Sequence, residues 1–337
     1  MKFKAVALIG AGALALVAGS ASAGDLACLI TKNNTNPFFV KMKEGAEAAA
    51  TAAGLDFQAY AGEKDGDAAP QITAIENCVA AGAKGILITP SNDSVGPALK
   101  DARAAGILVI ALDTPLADTE AQDITFATDN FEAGLLIGKW AAATMGEGAA
   151  TAKIAMLDIN KDNISVDVAR DTGFLVGFGI EVPDLTVMGS ETDARVIGHE
   201  TSDANPEGGL RAMETLLAKD PDINVVYTIN EPAAEGAFQA LKNAGKEGQA
   251  IIVSVDGGCP GVASVKSGVI GATSQQYPLL MASKGIEAIV AFAKDGTKPT
   301  VSEGLSFFNT GVNLITDKPA EGVPSLDSTK GNELCWG

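Results

Sequence analysis

The chain is poor in the residues that most enzymes and nucleic-acid binders depend on. It has one histidine in 337 residues, His199, which on its own reads as a surface residue rather than a base or a ligand. No Gly-x-Ser-x-Gly nucleophile elbow occurs, and no glycine-rich phosphate loop follows a hydrophobic run. Carboxylates without a second catalytic partner do not make an active site, so an enzyme is not expected. Basic residues are also few: 24 Lys and Arg against 42 Asp and Glu leave a formal charge of −18. A chain this acidic is repelled by phosphate backbones, which argues against nucleic acid as a partner. Cysteine is limited to four positions whose spacing matches no metal-site pattern, and neither metal nor cofactor is expected. After the first two dozen residues no apolar run is long enough to cross a bilayer.

What is present begins at the N-terminus. Lys2 and Lys4 precede an apolar, small-residue run over 5–18, and Ala21-Ser22-Ala23 supplies small residues before a cut. This is the layout of a secretory signal peptide over residues 1–23, with cleavage expected after Ala23 and export to the periplasm. No cysteine stands at the cut to take a lipid. Disulfides persist in an oxidising compartment, and four cysteines allow three pairings. Cys28 and Cys78 sit in apolar segments, where buried thiols and a bridge are equally good readings. Cys259 and Cys335 lie in loop-like surroundings.

Apolar residues make up 47% of the chain, enough for large cores. Short aliphatic runs at 26–30, 55–60, 85–89, 108–112, 153–157, 225–229, 251–255 and 269–273 read as strands. Several are continuously apolar, as strands buried on both faces of a parallel sheet must be. Helical patterns fill the gaps at 38–52, 69–80, 95–105, 131–145, 166–178, 206–219, 232–243 and 279–294. Gly54, Gly82, Gly106 and Gly245 stand just past helix ends. Repeated βα units predict doubly wound parallel sheets. So many strands are more economically divided into two domains, with 124–130 as a crossing between them. No low-complexity segment is available as a tether, so the crossings should be short and ordered.

In open α/β sheets ligands bind beyond the carboxyl ends of the strands. There the sequence places Asn33, Asn34 and Asn36; Ser91, Asn92 and Asp93; Asp113 and Thr114; Asp158 and Asn160; Asn230 and Glu231; Asp256; and Ser274, Gln275 and Gln276. Carboxylates accept from hydroxyls, while amides donate and accept at once, so the inventory suits a polyol. An Arg can fork across adjacent hydroxyl oxygens. Phe38 and Phe39 follow the first polar loop and could cover an apolar sugar face. Each residue also has a plainer reading. Asn36 and Asn230 precede Pro-containing helix starts and read as N-caps. Asp113 before Thr-Pro reads as a turn residue, and Phe38 and Phe39 as core. Arg170, between Asp167 and Asp171, reads as a surface charge. The recurrence at one end of the sheets carries the binding interpretation.

Six segments occur in a familiar order: Thr35-Asn36-Pro37-Phe38-Phe39, Leu112-Asp113, Thr128-Asp129-Asn130, Ile229-Asn230-Glu231, Val255-Asp256-Gly257 and Gln276-Tyr277-Pro278. This order, over essentially the whole mature chain, resembles the type I periplasmic sugar-binding proteins of ABC transporters, near their ribose-binding branch. Residues 30–45 and 85–115 are most similar to the fructose-binding subgroup. The resemblance implies an α/β fold of two doubly wound parallel-sheet domains joined by a three-crossing hinge. It implies domains of 24–127 plus 278–308 and of 128–277 plus 309–337, with crossings near 128–130, 275–277 and 309–311. The implied sugar contacts are Asn36, Phe38, Phe39, Asp113 and Thr114 in the first domain and Arg170, Asn205, Asn230, Asp256 and Gln276 in the second. Phe38 would stack on one sugar face.

Two departures stand out. Thr114 stands where the ribose-binding pattern has Arg, and Ala204 where it has an aromatic. Loss of a forked donor and of a ring argues for a larger ketose or polyol over ribose. The resemblance also makes a Cys259–Cys335 bridge reasonable, pinning the C-terminal tail on the second domain. The implied partners are a monosaccharide and an ABC permease, the expected state a monomer. A chemotaxis or autoinducer receptor of the same fold is the alternative function.

Overall fold

The computed structural model describes residues 24–337; the leader expected over 1–23 lies outside the described residues. The first sheet is built from β1 (Leu26–Thr31), β2 (Asp56–Ala61), β3 (Gly85–Ile88), β4 (Leu108–Leu112) and β5 (Ile124–Ala127), joined by the late strand β11 (Phe308–Asn309). Helices α1 (Pro37–Ala53), α2 (Ala69–Ala80) and α3 (Gly96–Ala104) connect the first four strands. The second sheet is built from β6 (Ile154–Asp158), β7 (Val196–Thr201), β8 (Val225–Thr228), β9 (Ile251–Asp256), β10 (Ala272–Gln275) and β12 (Asn313–Ile315). With it go α4 (Asn130–Met145), α5 (Ser165–Phe178), α6 (Pro206–Lys219), α7 (Glu231–Asn243), α8 (Cys259–Ser267) and the C-terminal α10 (Ser328–Leu334). Helix α9 (Pro278–Asp295) returns to the first sheet and packs on α1.

The strand orders are β11-β5-β4-β3-β1-β2 and β12-β10-β9-β8-β6-β7. All pairings are parallel except β10 with β12. In each sheet the order reverses beside the first strand, and the crevice of a doubly wound sheet opens at that point.

Strand pleating explains the continuous apolar runs. Ala27 and Leu29 of β1 face the core under α1 and α9, whereas Cys28 and Ile30 face that under α2. In β6, Ile154 and Met156 join the core with α4 and α5, while Ala155 and Leu157 join α6 and α7. Both faces of the central strands are covered, so β3, β4 and most of β1 and β6 are apolar at both parities.

The chain passes between the sheets three times: at 128–129 from β5 into α4, at 276–277 from β10 into α9, and at 310–312 between β11 and β12. Residues 124–127, read in the sequence as part of a crossing, form the buried strand β5. Strand β7 was missed because its residues are all half-buried, which leaves no apolar run to read. Helix α8 was missed as well; it is short and opens on Cys-Pro-Gly. The cysteines left open in the sequence are paired: Cys28 of β1 with Cys78 of α2, and Cys259 of α8 with Cys335 in the tail.

Candidate functional site

The loop after β1 is organised by one amide. Asn33 Oδ1 accepts from the backbone N–H of Thr35 (3.0 Å) and Asn36 (2.8 Å), and its Nδ2 donates to Asp65 (3.1 Å). Gln71, fully buried on α2, donates to the carbonyls of Thr31 and Thr89 and accepts from Ser91 N–H, tying the loops after β1 and β3 together. Asn36 is the N-cap of α1, its Oδ1 accepting from Phe38 N–H at 3.0 Å, and Pro37 opens the helix. This cap aims Phe38 and Phe39 at the space between the sheets. The two rings meet edge to face at 5.4 Å and are both buried.

Asp113 leaves β4 in the left-handed region at φ 65°, uncommon outside glycine but tolerated by Asp better than by most residues. Its N–H is held by the carbonyl of Phe126 on the adjacent strand, and its Oδ2 accepts from Thr114 Oγ1 at 2.7 Å. Across the gap stands Arg170 of α5, 5% exposed, donating from Nε to Asn130 Oδ1 (2.8 Å) and from Nη1 to the Ile229 carbonyl (3.1 Å). Arg170 reaches this place because α4 and α5 touch backbone to backbone. A Cβ on Gly134 would lie 2.1 Å from the Arg170 carbonyl oxygen, and one on Gly173 2.3 Å from that of Phe131.

Asp256, at the end of β9, accepts from Gln276 Nε2 at 2.8 Å. Burial pushes its carboxyl up to about 6 although Arg170 pulls the other way. Behind it, Glu231 accepts from the N–H groups of Gly257 (2.8 Å) and Gly258 (3.1 Å) and from Thr273 Oγ1 (2.8 Å). Burial and the neighbouring Asp256 raise this carboxyl to about 8. Gln276 lies on a crossing, where its Oε1 accepts from Thr128 Oγ1 on another (3.1 Å). Asn230 caps α7 by accepting from Ala233 N–H, and its Nδ2 donates to the Ala204 carbonyl.

Eight of the ten residues singled out in the sequence line one cavity between the two sheets: Asn36, Phe38, Phe39, Asp113, Arg170, Asn230, Asp256 and Gln276. Thr114 and Asn205 are not among its lining residues. Thr114 turns its hydroxyl onto Asp113 and faces a neighbouring space with Pro90 and Ser165. Asn205 is committed to the N-terminus of α6, where its Oδ1 accepts from Gly208 N–H at 2.8 Å. The cavity also includes Ala204, noted in the sequence as a departure, and Lys32, Asp65, Ile159, Val166 and Ile229, which the sequence did not single out as contacts. Lys32, Ile159 and Ile229 immediately follow strands, so position alone could have flagged them. Asp65 lies in the charged run Glu63-Lys64-Asp65 just past β2, so the same positional signal was available for it.

His199 departs from its surface reading. It is largely enclosed on β7 among Asp158, Asp171 and Glu191. Burial favours its neutral form, but hydrogen bonds to Asp158 and Glu191 outweigh that and push the ring up to about 11.

Residues 27–298 match the family model of the periplasmic binding protein domain. The ribose import binding protein of Escherichia coli K12 is 31% identical over 286 residues, covering 84% of this chain and 90% of that protein. Its counterpart in Haemophilus influenzae is 32% identical over 285 residues, covering 84% and 91%. Among solved structures, a carbohydrate transporter solute-binding protein from Agrobacterium radiobacter, in complex with D-arabinose, superposes with a TM-score of 0.75 at 24% identity, covering 93% of this chain and 99% of that one. The chain belongs to the periplasmic binding protein family, and is a binder rather than an enzyme.

Proposed function

We propose that this protein is the sugar-binding periplasmic component of an ABC importer, that its ligand is a monosaccharide of fructose-like shape, and that it closes around that sugar between its two domains. The observation that carries the reading is the composition of a single cavity. Carboxylates from both sheets, Asp113 and Asp256, meet the Arg170 guanidinium there beside the face-forming rings of Phe38 and Phe39. Acceptors, a forked donor and apolar rings are what a polyol with apolar C–H faces needs. The curated relatives in Escherichia coli and Haemophilus influenzae are ribose import proteins, which supports a sugar as cargo.

The choice of a ketohexose over ribose rests on Thr114 and Ala204. The Thr114 hydroxyl is held by Asp113 and offers no fork to the ligand. Ala204 contributes only a methyl group to the cavity wall. Both changes favour a ligand with more volume and fewer forked contacts.

The three crossings at 128–129, 276–277 and 310–312 act as the hinge, dividing the chain into domains of 24–127 plus 278–308 and of 128–277 plus 309–337. Contacts from both domains exist together only in the closed form, so sugar shifts the population toward closure and a membrane permease can distinguish loaded from empty protein. The leader over 1–23 is removed on export, and the mature protein acts as a monomer.

The test is a thermal-shift screen of the mature protein against fructose, ribose, allose, arabinose and myo-inositol, followed by calorimetry on the hits. A ligand that binds the native state raises the melting temperature. Fructose or a close ketose is expected to give the largest rise. If no sugar shifts the transition the sugar reading fails, and if ribose dominates the ketose assignment fails.

A further inference from the structure

Next to the sugar cavity, beside α5, three carboxylates crowd one imidazole and a fourth lies near them. Asp158 ends β6, Asp167 and Asp171 lie on the inner face of α5, and Glu191 comes from the loop before β7. His199 Nδ1 is 2.9 Å from Asp158 Oδ2 and 3.4 Å from Asp171 Oδ2, and its Nε2 is 2.9 Å from Glu191 Oε1. Among the described residues, His199 is the only cationic side chain in ion-pair contact with any of the four. Asp171 is fully buried and neither of its oxygens has a hydrogen-bond partner; the same holds for Asp158 Oδ1 and Asp167 Oδ1.

A buried carboxylate without donors is costly unless something positive completes it. One ring nitrogen can donate one proton to one oxygen, so the imidazole cannot satisfy Asp158 and Asp171 together. A divalent ion can. Bonds of about 2.0–2.2 Å in a tetrahedron put ligand atoms about 3.3–3.6 Å apart. Nδ1 and the nearest carboxylate oxygens of Asp158 and Asp171 all lie within 4.8 Å of one another, two of the separations being the 2.9 and 3.4 Å above.

We propose that Asp158, Asp171 and His199 bind a divalent transition-metal ion, with zinc(II) as the fitting member of that class. One nitrogen and two oxygen donors suit zinc; calcium takes six to eight oxygens, which this site does not supply. Glu191 is the positioning residue: it accepts from Nε2–H, and the ion takes the place of the Nδ1 proton, which is released to solvent on binding. A fourth position is open to water, because a cavity of ≈ 220 Å³ lined by Asp158, His199, Asn160 and Lys161 reaches the cluster. The ion clamps β6, β7 and α5 together, and α5 is the helix that carries Arg170 into the sugar cavity. The inference stands on the cluster and not on the identity of the sugar.

The experiment uses untagged mature protein, dialysed against chelator and then titrated with zinc chloride by calorimetry, with calcium chloride as the contrast. One zinc per chain is expected, with a rise in melting temperature that calcium does not reproduce. Asp171→Asn removes a ligand and a buried carboxylate that no donor reaches, so it is expected to fold and to lose the stoichiometric zinc. Glu191→Gln keeps all three ligands and is expected to weaken zinc binding by about 10- to 100-fold. Should Asp171→Asn fail to fold, Glu191→Gln carries the test. Absence of a one-per-chain zinc site, equal response to calcium, or unchanged zinc affinity in the variants overturns the proposal and leaves a proton on His199 as the counter-charge.

Discussion

Arg170 Nη2 and Asp113 Oδ1 face each other at 4.0 Å across the space between the two sheets. The gap is too long for a hydrogen bond, although both side chains are almost completely buried. A buried ion pair without direct contact is poorly compensated for its lost hydration. A sugar hydroxyl placed between the two groups would donate to the carboxylate and accept from the guanidinium, and it would do so only while the domains are together.

Asp113→Ala is therefore expected to abolish measurable sugar binding while the protein stays folded, and Asp256→Ala to do the same from the other domain. Each hydrogen bond from a ligand hydroxyl to a buried carboxylate is worth about 1.5–3 kcal/mol, and each variant loses those its carboxylate accepts. Calorimetry with the sugar identified by the screen, alongside circular dichroism, is the measurement. Wild-type affinity in both variants would remove these residues from the site.

Sugar affinity should rise with pH through the titration of Asp256. Its folded-state carboxyl is raised to about 6, by burial first, against an ordinary value near 4. A hydroxyl donating to Asp256 is held more strongly by the ionised form, so binding is weakened below about pH 6 and reaches its plateau above it. The stability sign is the reverse. Between about pH 4 and 6 the unfolded chain has released the proton that the folded state retains, so the folded state loses ground as pH rises. Asp256→Asn abolishes this component, and the melting temperature of the variant should gain on that of the wild type from pH 4 to 7. A constant difference between the two across that window would contradict the raised carboxyl.

Gly134→Ala tests how α5 is held. The added methyl would lie 2.1 Å from the Arg170 carbonyl oxygen and 2.8 Å from Phe174 N, both backbone atoms that cannot swing aside. Overpacking of this kind costs about 1–3 kcal/mol. Because the displaced helix carries Arg170, sugar affinity is expected to fall at least tenfold along with stability. Denaturant unfolding and calorimetry on the same preparation separate the two effects; a loss of stability with unchanged affinity would show that Arg170 keeps its place by other contacts.

The C-terminal tail joins the two domains. Trp336 meets Phe38 edge to face at 5.6 Å and donates from Nε1 to the Gln276 carbonyl at 2.7 Å, while Cys335 ties the tail to Cys259. Replacing both cysteines by serine is expected to lower stability by about 2–4 kcal/mol. It should also redden the tryptophan emission, because Trp336 is released while Trp140 remains buried. An unshifted spectrum would mean that Trp336 holds its position without the bridge.

Much of this architecture was legible because local rules and global fold agree. Runs such as Leu108–Leu112 are apolar at every position, and only a strand covered on both faces requires that. Asn36-Pro37 and Asn230-Glu231-Pro232 spell out helix starts, and both caps form. Of the eight cavity residues, Asn36, Asp113, Asn230, Asp256 and Gln276 lie at or after strand ends, where position in sequence stands in for position in space; Arg170, on α5, is named only by the family resemblance. Strand β7 was not legible: its half-buried residues alternate too weakly to signal a strand. Asn205 and Asn36 look alike in sequence because one residue type serves both as cap and as ligand; both cap helices, and only Asn36 also lines the cavity.

By itself, the sequence determined the βα rhythm, the covered parallel strands, the polar strand ends and the absence of enzyme motifs, all of which follow from residue type and nearest neighbours along the chain. Only the tertiary structure decided which charges meet. Arg170 reads as a surface charge between two aspartates until the glycine contact of α4 with α5 buries it opposite Asp113. His199 reads as solitary until β7 pairs with β6 and brings Asp158 against its ring. The partners in both cases lie on different elements, and the packing of whole helices and strands, not local preference, sets the distance between them.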